Sequence, residues 1–251
     1  MLHFNGTEAQ PANQPELQQP ASRSAAIRLL ATLGVGITFP STHTTVMNPG
    51  NSVQFFDQQF QRQLAKRELQ LNPFEAAALP HLQGKVLDYG CGLGNLTVEA
   101  ARRGCTLDAL DASHSAIEHI RTVAIRESLP IRAVEADLAN YEISDTYDAV
   151  VCIGLLMFFD CSTANRQLQA LQDHVRPGGL AIVNVLTEGT TYMDMFSIGS
   201  HCLFKPDELR ERFSNWDLLL YEVQSFAAPD NTRKLFATAI ARKPVKTRTD
   251  A

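Results

Sequence analysis

Between Lys85 and Thr187 the chain alternates short apolar runs with helical stretches, and this rhythm restricts the fold more than any single residue does. KVLDYG, CTLDALD, IRAVEAD, TYDAVVCIG and LAIVNVLT read as strands. Gly94 to Arg103, closed by Gly104, reads as a helix, as do Ser113 to Ser128 with Pro130 behind it and Thr163 to Val175. The last of these stops at the turn Arg176-Pro177-Gly178-Gly179. Helices set between apolar strands make βαβ units, and these require a parallel sheet covered on both faces. The end of the chain breaks the pattern. After a helix over Pro206 to Phe213, WDLLLYEVQSF and RKLFATAIARK lie about five residues apart. That gap is too short for a parallel crossover, so they predict an antiparallel hairpin. The expected fold class is α/β: a three-layer sandwich around a mostly parallel seven-stranded sheet with an antiparallel C-terminal hairpin.

The regular pattern is expected to belong to one domain over residues 52–243, followed by a flexible tail over 244–251. Ser52 is the expected N-cap of a helix whose apolar face carries Phe55, Phe56, Phe60, Leu64 and Leu71. Asn72-Pro73 is expected to end it. Residues 1–50, rich in Gln, Pro, Ala and Ser, bury too little surface to offset their ordering entropy. They read as a disordered extension with room for a short helix over Ala25 to Thr32. The apolar run Leu29 to Phe39 is shorter than the roughly 18 residues of a membrane span. Its length suits a signal-peptide core, but the long Gln/Pro-rich lead and the STHTT that follows do not. Met47 is an alternative start.

A net charge of −5 offers no global attraction to a polyanion and weighs against a nucleic-acid partner. The five cysteines form no CxxC pair and are odd in number, which predicts reduced thiols in a cytoplasmic protein. The seven histidines show no HxH or HExxH spacing, so no metal site is expected.

The chemistry concentrates at VLDYGCGLGN, residues 86–95. A strand that ends in Gly90-Cys91-Gly92-Leu93-Gly94 and turns into a helix lets backbone approach a ligand closely and aims N–H groups at it. A dinucleotide fold spaces these glycines G-x-G-x-x-G for pyrophosphate. Here the third glycine comes one residue early, and Asp88 precedes the loop. A carboxylate there repels pyrophosphate and suits a cation.

With these residues the chain resembles the class I S-adenosylmethionine-dependent methyltransferases, whose first motif reads Asp/Glu-x-Gly-x-Gly-x-Gly after strand one. The resemblance runs from about Ser52 to Lys243 and implies a Rossmann-like fold with S-adenosyl-L-methionine as cofactor. It places Asp88, Gly90, Cys91 and Gly92 near the methionine end. It gives the ribose hydroxyls to Asp111, which ends the second strand beside Ala112. It gives the adenine to Asp137 and Leu138 after the third strand, and it counts Cys152 of the fourth strand among the cofactor-binding residues. A carboxylate at a strand's end, at the sheet's switch point, is where a ligand is expected.

The acceptor is less constrained. Family members that methylate nucleic-acid amines carry Asn/Asp-Pro-Pro-Tyr/Phe after strand four, where this chain reads CIGLLMFFD. Met157, Phe158 and Phe159 are expected to roof the pocket. The segment 188–205 is a second candidate wall, with His201 and Tyr192 as candidate catalytic groups. IGLLMFFD, LFKPDELRERFSNWDLLLYE and KLFATAIARK are also similar to the tellurite-resistance type of small methyltransferase. This implies a small-molecule acceptor: a metalloid oxyanion, a thiol or a small metabolite. An NAD(P)-binding oxidoreductase and a non-catalytic cofactor-binding module are the alternatives.

Overall fold

Residues 51–196 and 201–245 are described in the structure, a computed structural model. The extension over 1–50, with its short helix and apolar run, lies outside the described residues, as do residues 246–251 of the tail. The side chains of Ser52 and Phe55 lie outside them too.

Seven strands form one sheet: β1 (Lys85–Tyr89), β2 (Thr106–Asp111), β3 (Ile131–Glu135), β4 (Tyr147–Ile153), β5 (Val175–Leu186), β6 (Asp217–Ala227) and β7 (Arg233–Arg242). Their spatial order is β3-β2-β1-β4-β5-β7-β6. The first five are parallel, and β7 runs antiparallel to both β5 and β6. The expected mixed sheet with its C-terminal hairpin is therefore present. The order reverses between β1 and β4, which opens a crevice at their carboxyl ends. Arg176 to Gly179, expected as a turn, lies within β5 instead. The β4–β5 register shifts between Tyr147 and Ala149, which accommodates those residues.

The α-helices among the described residues are α1 (Asn51–Lys66), α2 (Pro73–Ala78), α3 (Asn95–Arg102), α4 (His114–Glu127), α5 (Cys161–Asp173) and α6 (Glu208–Arg212). One sheet face buries Val86, Leu107, Val151 and Ile182 against Leu96, Ala100 and Ala101 of α3. Ile117 and Ile120 of α4 pack nearby on Ala109 and Ala133. The opposite face buries Leu87, Val150 and Val183 under Leu168 and Leu171 of α5 and Leu209 of α6. A fully buried leucine of this kind contributes about 1.5–3 kcal/mol.

Two expectations are corrected here. Asn72-Pro73 does not end α1. That helix stops at Arg67, which takes φ 57°, with Arg67 N–H bonded to the Leu64 carbonyl and Glu68 N–H to that of Gln63. Asn72 instead opens α2: its Oδ1 accepts from Phe74 and Glu75 N–H, and its own N–H donates to Glu75 Oε2 at 2.7 Å, with Pro73 in the first turn. The cysteines are not all reduced thiols. Cys161 and Cys202 form a disulfide, while Cys91, Cys105 and Cys152 are free and buried.

Candidate active site

The loop from Gly90 to Gly94 forms the floor of a cleft of about 1270 Å³ at the carboxyl end of the sheet. Gly90 and Gly92 both take positive φ, at 84° and 51°. A Cβ on Gly90 would lie 2.9 Å from Leu155 Cδ2, and one on Gly92 would lie 3.3 Å from the Phe60 ring. Leu155 and Phe60 both line the cleft, so larger residues here would fill the cradle itself.

Four N–H groups of the loop are bonded within the protein. Gly90 and Cys91 N–H donate to the Leu110 carbonyl, Gly94 N–H to that of Cys91, and Gly92 N–H to Asp111 Oδ2 at 2.8 Å. The turn gives a ligand close backbone approach rather than an anion nest. This agrees with the glycine spacing, which departs from the dinucleotide pattern.

Asp111 ends β2 and faces the cleft. Its Oδ1 accepts from Ser113 N–H at 2.9 Å, so it secures both the glycine loop and the start of α4. Burial raises its pKa against the opposing pull of these hydrogen bonds. A carboxylate has about four acceptor sites, so two backbone bonds leave capacity for a ligand's hydroxyls. Ala112 lines the cleft beside it. Asp137 and Leu138, after β3, line it too. Asp137 is exposed and accepts from Ala139 N–H and from Asn140 Nδ2 at 2.7 Å. The Leu138 carbonyl accepts from the hydroxyl of Tyr89, a fully buried ring that also reaches Gln167. Through that bond the end of β1 holds the β3 loop in place.

Other predicted residues lie elsewhere. Asp88 does not line the cleft. It is 5% exposed and accepts from Thr97 Oγ1 at 2.5 Å. Burial chiefly pushes its pKa up to about 6, the Thr97 bond opposes this, and the Asp111 charge adds to it. Cys91 lines the cleft, with its thiol pKa raised by burial and by the charges of Asp111 and Asp88. Cys152 lies in the core behind, fully buried with Leu87 and Val150; its neighbour Ile153 lines the cleft. His201 is exposed and stacks on Phe196, with centroids 4.9 Å apart. Tyr192 lies under the Lys234 ammonium, 4.6 Å from its ring centroid. Neither of the two lines the cleft. Phe158 and Phe159 do, while Met157 is buried beneath.

Sequence reasoning missed two contributors. Asp57 of α1 accepts from Ser113 Oγ at 2.6 Å, Ser115 Oγ at 2.7 Å and Ser115 N–H at 3.1 Å. These bonds, Ser113 first, hold its pKa below the usual carboxylate value. They also lay α1 over the cleft, where Phe56 and Phe60 line the wall and Phe56 packs edge-on against Phe158 at 4.8 Å. The second is Glu75, a half-buried cleft residue. The Asn-x-x-Glu spacing of a capping box was its sequence signal. No group of three or more His, Cys, Asp or Glu among the described residues is arranged to hold a metal.

Comparison with known proteins agrees with this geometry. Residues 86–179 match a family model described as a methyltransferase domain. Hemagglutinin 1 of Eikenella corrodens is 30% identical over 170 residues, which cover 64% of this chain and 55% of that protein. The ubiquinone biosynthesis O-methyltransferase of Shewanella sp. (strain ANA-3) is 30% identical over 167 residues, covering 60% of this chain and 70% of the relative. The chain thus spans little more than half of the first relative's length. The crystal structure of TehB from Haemophilus influenzae superposes with a TM-score of 0.59 at 22% identity, over 68% of this chain and 61% of that one. The chain belongs to the class I S-adenosylmethionine-dependent methyltransferase family.

Proposed function

We propose that the protein transfers a methyl group from S-adenosyl-L-methionine to a small-molecule acceptor. The observation that carries this reading is the convergence of a positive-φ glycine loop with Asp111, Ala112, Asp137 and Leu138 around one cleft at the switch point of the sheet. When bound, the cofactor supplies an electrophilic methyl on a cationic sulfur. The chain's part is to hold, orient and desolvate. Gly90 to Gly92 would pass close to the methionine portion, Asp111 would accept from the ribose, and Asp137 with Leu138 would border the adenine. Phe56, Phe60 and Phe158 line the cleft and would shield the reacting end from water, so positioning would carry much of the rate.

The same wall supports a small, partly apolar acceptor. The absence of an Asn/Asp-Pro-Pro-Tyr/Phe segment after β4 and the net charge of −5 favour that over a nucleic acid. No helix among the described residues is long and apolar enough to cross a membrane. A cytoplasmic location, argued from the cysteines, loses its premise with the Cys161–Cys202 bond, because reducing compartments keep such pairs open.

Calorimetry with S-adenosylhomocysteine against NAD tests the cofactor. Binding of the first and not the second is expected. Asp111→Ala should weaken it by about 1.5–3 kcal/mol, the range for a lost charged hydrogen-bond partner. Saturable NAD binding with no response to S-adenosylhomocysteine would reverse the assignment. Transfer of labelled methyl to a panel of oxyanions, thiols and phenols would then identify the acceptor; binding with no transfer to any of them favours the non-catalytic module.

A further inference from the structure

The family resemblance places Asp88 near the methionine end of the cofactor, but that carboxylate lies behind the cleft and is bonded to Thr97. Resting on the methyl-donor reading above, we propose that Glu75 takes this role, its carboxylate receiving the cofactor's α-ammonium group.

Three observations lead there. First, Glu75 lines the same cleft as Gly90 and Cys91, and its charge acts on the Cys91 thiol while that of Asp88 acts on Glu75. It thus shares the cleft with the loop that would carry the methionine portion, and Asn95 at the end of that loop donates to the Gln70 carbonyl in the segment leading into α2.

Second, it has an open acceptor. Asn72 N–H donates to Oε2, and Oε1 accepts no hydrogen bond from the described residues. The other cleft acids are engaged. Asp111 holds Gly92 and Ser113, Asp137 holds Ala139 and Asn140, Glu135 pairs with His114, and Asp160 caps α5. Glu68 is exposed at the rim.

Third, its position is fixed before any ligand arrives. Glu75 is the third residue of α2, and the capping box with Asn72 restricts its rotamer. Arg67 is the only basic side chain on the described cleft wall, against six carboxyl groups, so the cleft as a whole favours a cationic group.

The test compares two probes on the full chain. S-adenosylhomocysteine carries the amino-acid end; 5′-methylthioadenosine lacks it. Glu75→Gln can keep the capping bond to Asn72 N–H, since glutamine also serves in capping boxes, but it removes the charge. It should weaken S-adenosylhomocysteine about tenfold or more and leave 5′-methylthioadenosine within about twofold. Asn72→Ala breaks the cap while keeping the carboxylate, and it should change the ratio of the two affinities far less than Glu75→Gln does. An unchanged S-adenosylhomocysteine affinity in Glu75→Gln, or an equal loss for both probes, overturns the proposal. If the wild-type chain binds neither probe, the methyl-donor reading falls and takes this assignment with it.

Discussion

At the scale of single residues, the cleft region keeps two carboxyl groups poised near neutrality. Asp88 is pushed up to about 6 and Glu75 to about 7, in both cases mainly by burial. Their ordinary values are near 4, so between pH 4 and 7 the folded protein binds more protons than the unfolded chain. Stability then falls as pH rises through this window. A shift of about two units corresponds to roughly 3 kcal/mol for each group. Removing the charge should therefore stabilise the ligand-free protein on the alkaline side. Asp88→Asn should melt at a higher temperature than wild type at pH 8, with the gap closing toward pH 5. A bound cation favours the ionised forms, so the stabilisation conferred by S-adenosylmethionine should grow from pH 5.5 to pH 8. Scanning fluorimetry at matched ionic strength reads both effects. A gap between the two proteins that does not vary with pH would mean Asp88 does not titrate in this window.

At the scale of elements, α1 illustrates what the sequence could and could not show. Its apolar stripe was legible because helical periodicity is local. Its end was not, because Arg67 adopts a left-handed conformation that non-glycine residues seldom take, and nothing in its neighbours marks it. The Asn72–Glu75 box was legible but was masked by the competing stop signal of Pro73. The five parallel strands were readable as buried apolar runs. The depth of a side chain within them was not, since one step along β4 moves from Cys152 in the core to Ile153 in the cleft. The docking of α1 depends on contacts 56 to 58 residues apart, from Asp57 to Ser113 and Ser115, which no local pattern encodes. Asp57→Ala removes all three bonds at once while leaving the sheet and its core untouched. It should free α1 from α4, raise the rate of tryptic cleavage at Lys66 and Arg67, and weaken S-adenosylhomocysteine by about tenfold, at the low end of what bonds to a charged group contribute. Wild-type proteolysis kinetics in the variant would show that the aromatic contacts of Phe56 and Phe60 hold the helix unaided.

At the scale of the whole molecule, the sheet and its two helical layers bury an apolar core on each face, and the disulfide adds a covalent tie across one of them. Cysteine spacing alone does not give connectivity, and an odd count hid the pair. Cys161 begins α5, next to the cleft residue Asp160, and Cys202 returns from the segment after β5, with its N–H bonded to the Met157 carbonyl at 3.1 Å. The bond joins residues 41 apart in sequence. Closing a loop of that length lowers unfolded-chain entropy by an amount worth about 4 kcal/mol at most, and measured gains are commonly smaller. Reduction, or Cys161→Ser, should therefore lower the melting temperature by roughly 5–15 °C for a chain of this size. Cys202 is 2% exposed but Cys161 is an exposed residue, so a reductant thiolate should attack the folded protein at the Cys161 sulfur. Thiol titration in denaturant supplies the matching count: the three free cysteines before reduction and all five after it. The glycine cradle and Asp111 lie on other elements, so S-adenosylhomocysteine affinity should change little on reduction. A melting temperature indifferent to reductant, with five thiols titrating from the outset, would mean the chain folds with this pair open and that the core of β4, β5 and α5 holds the two segments together without it.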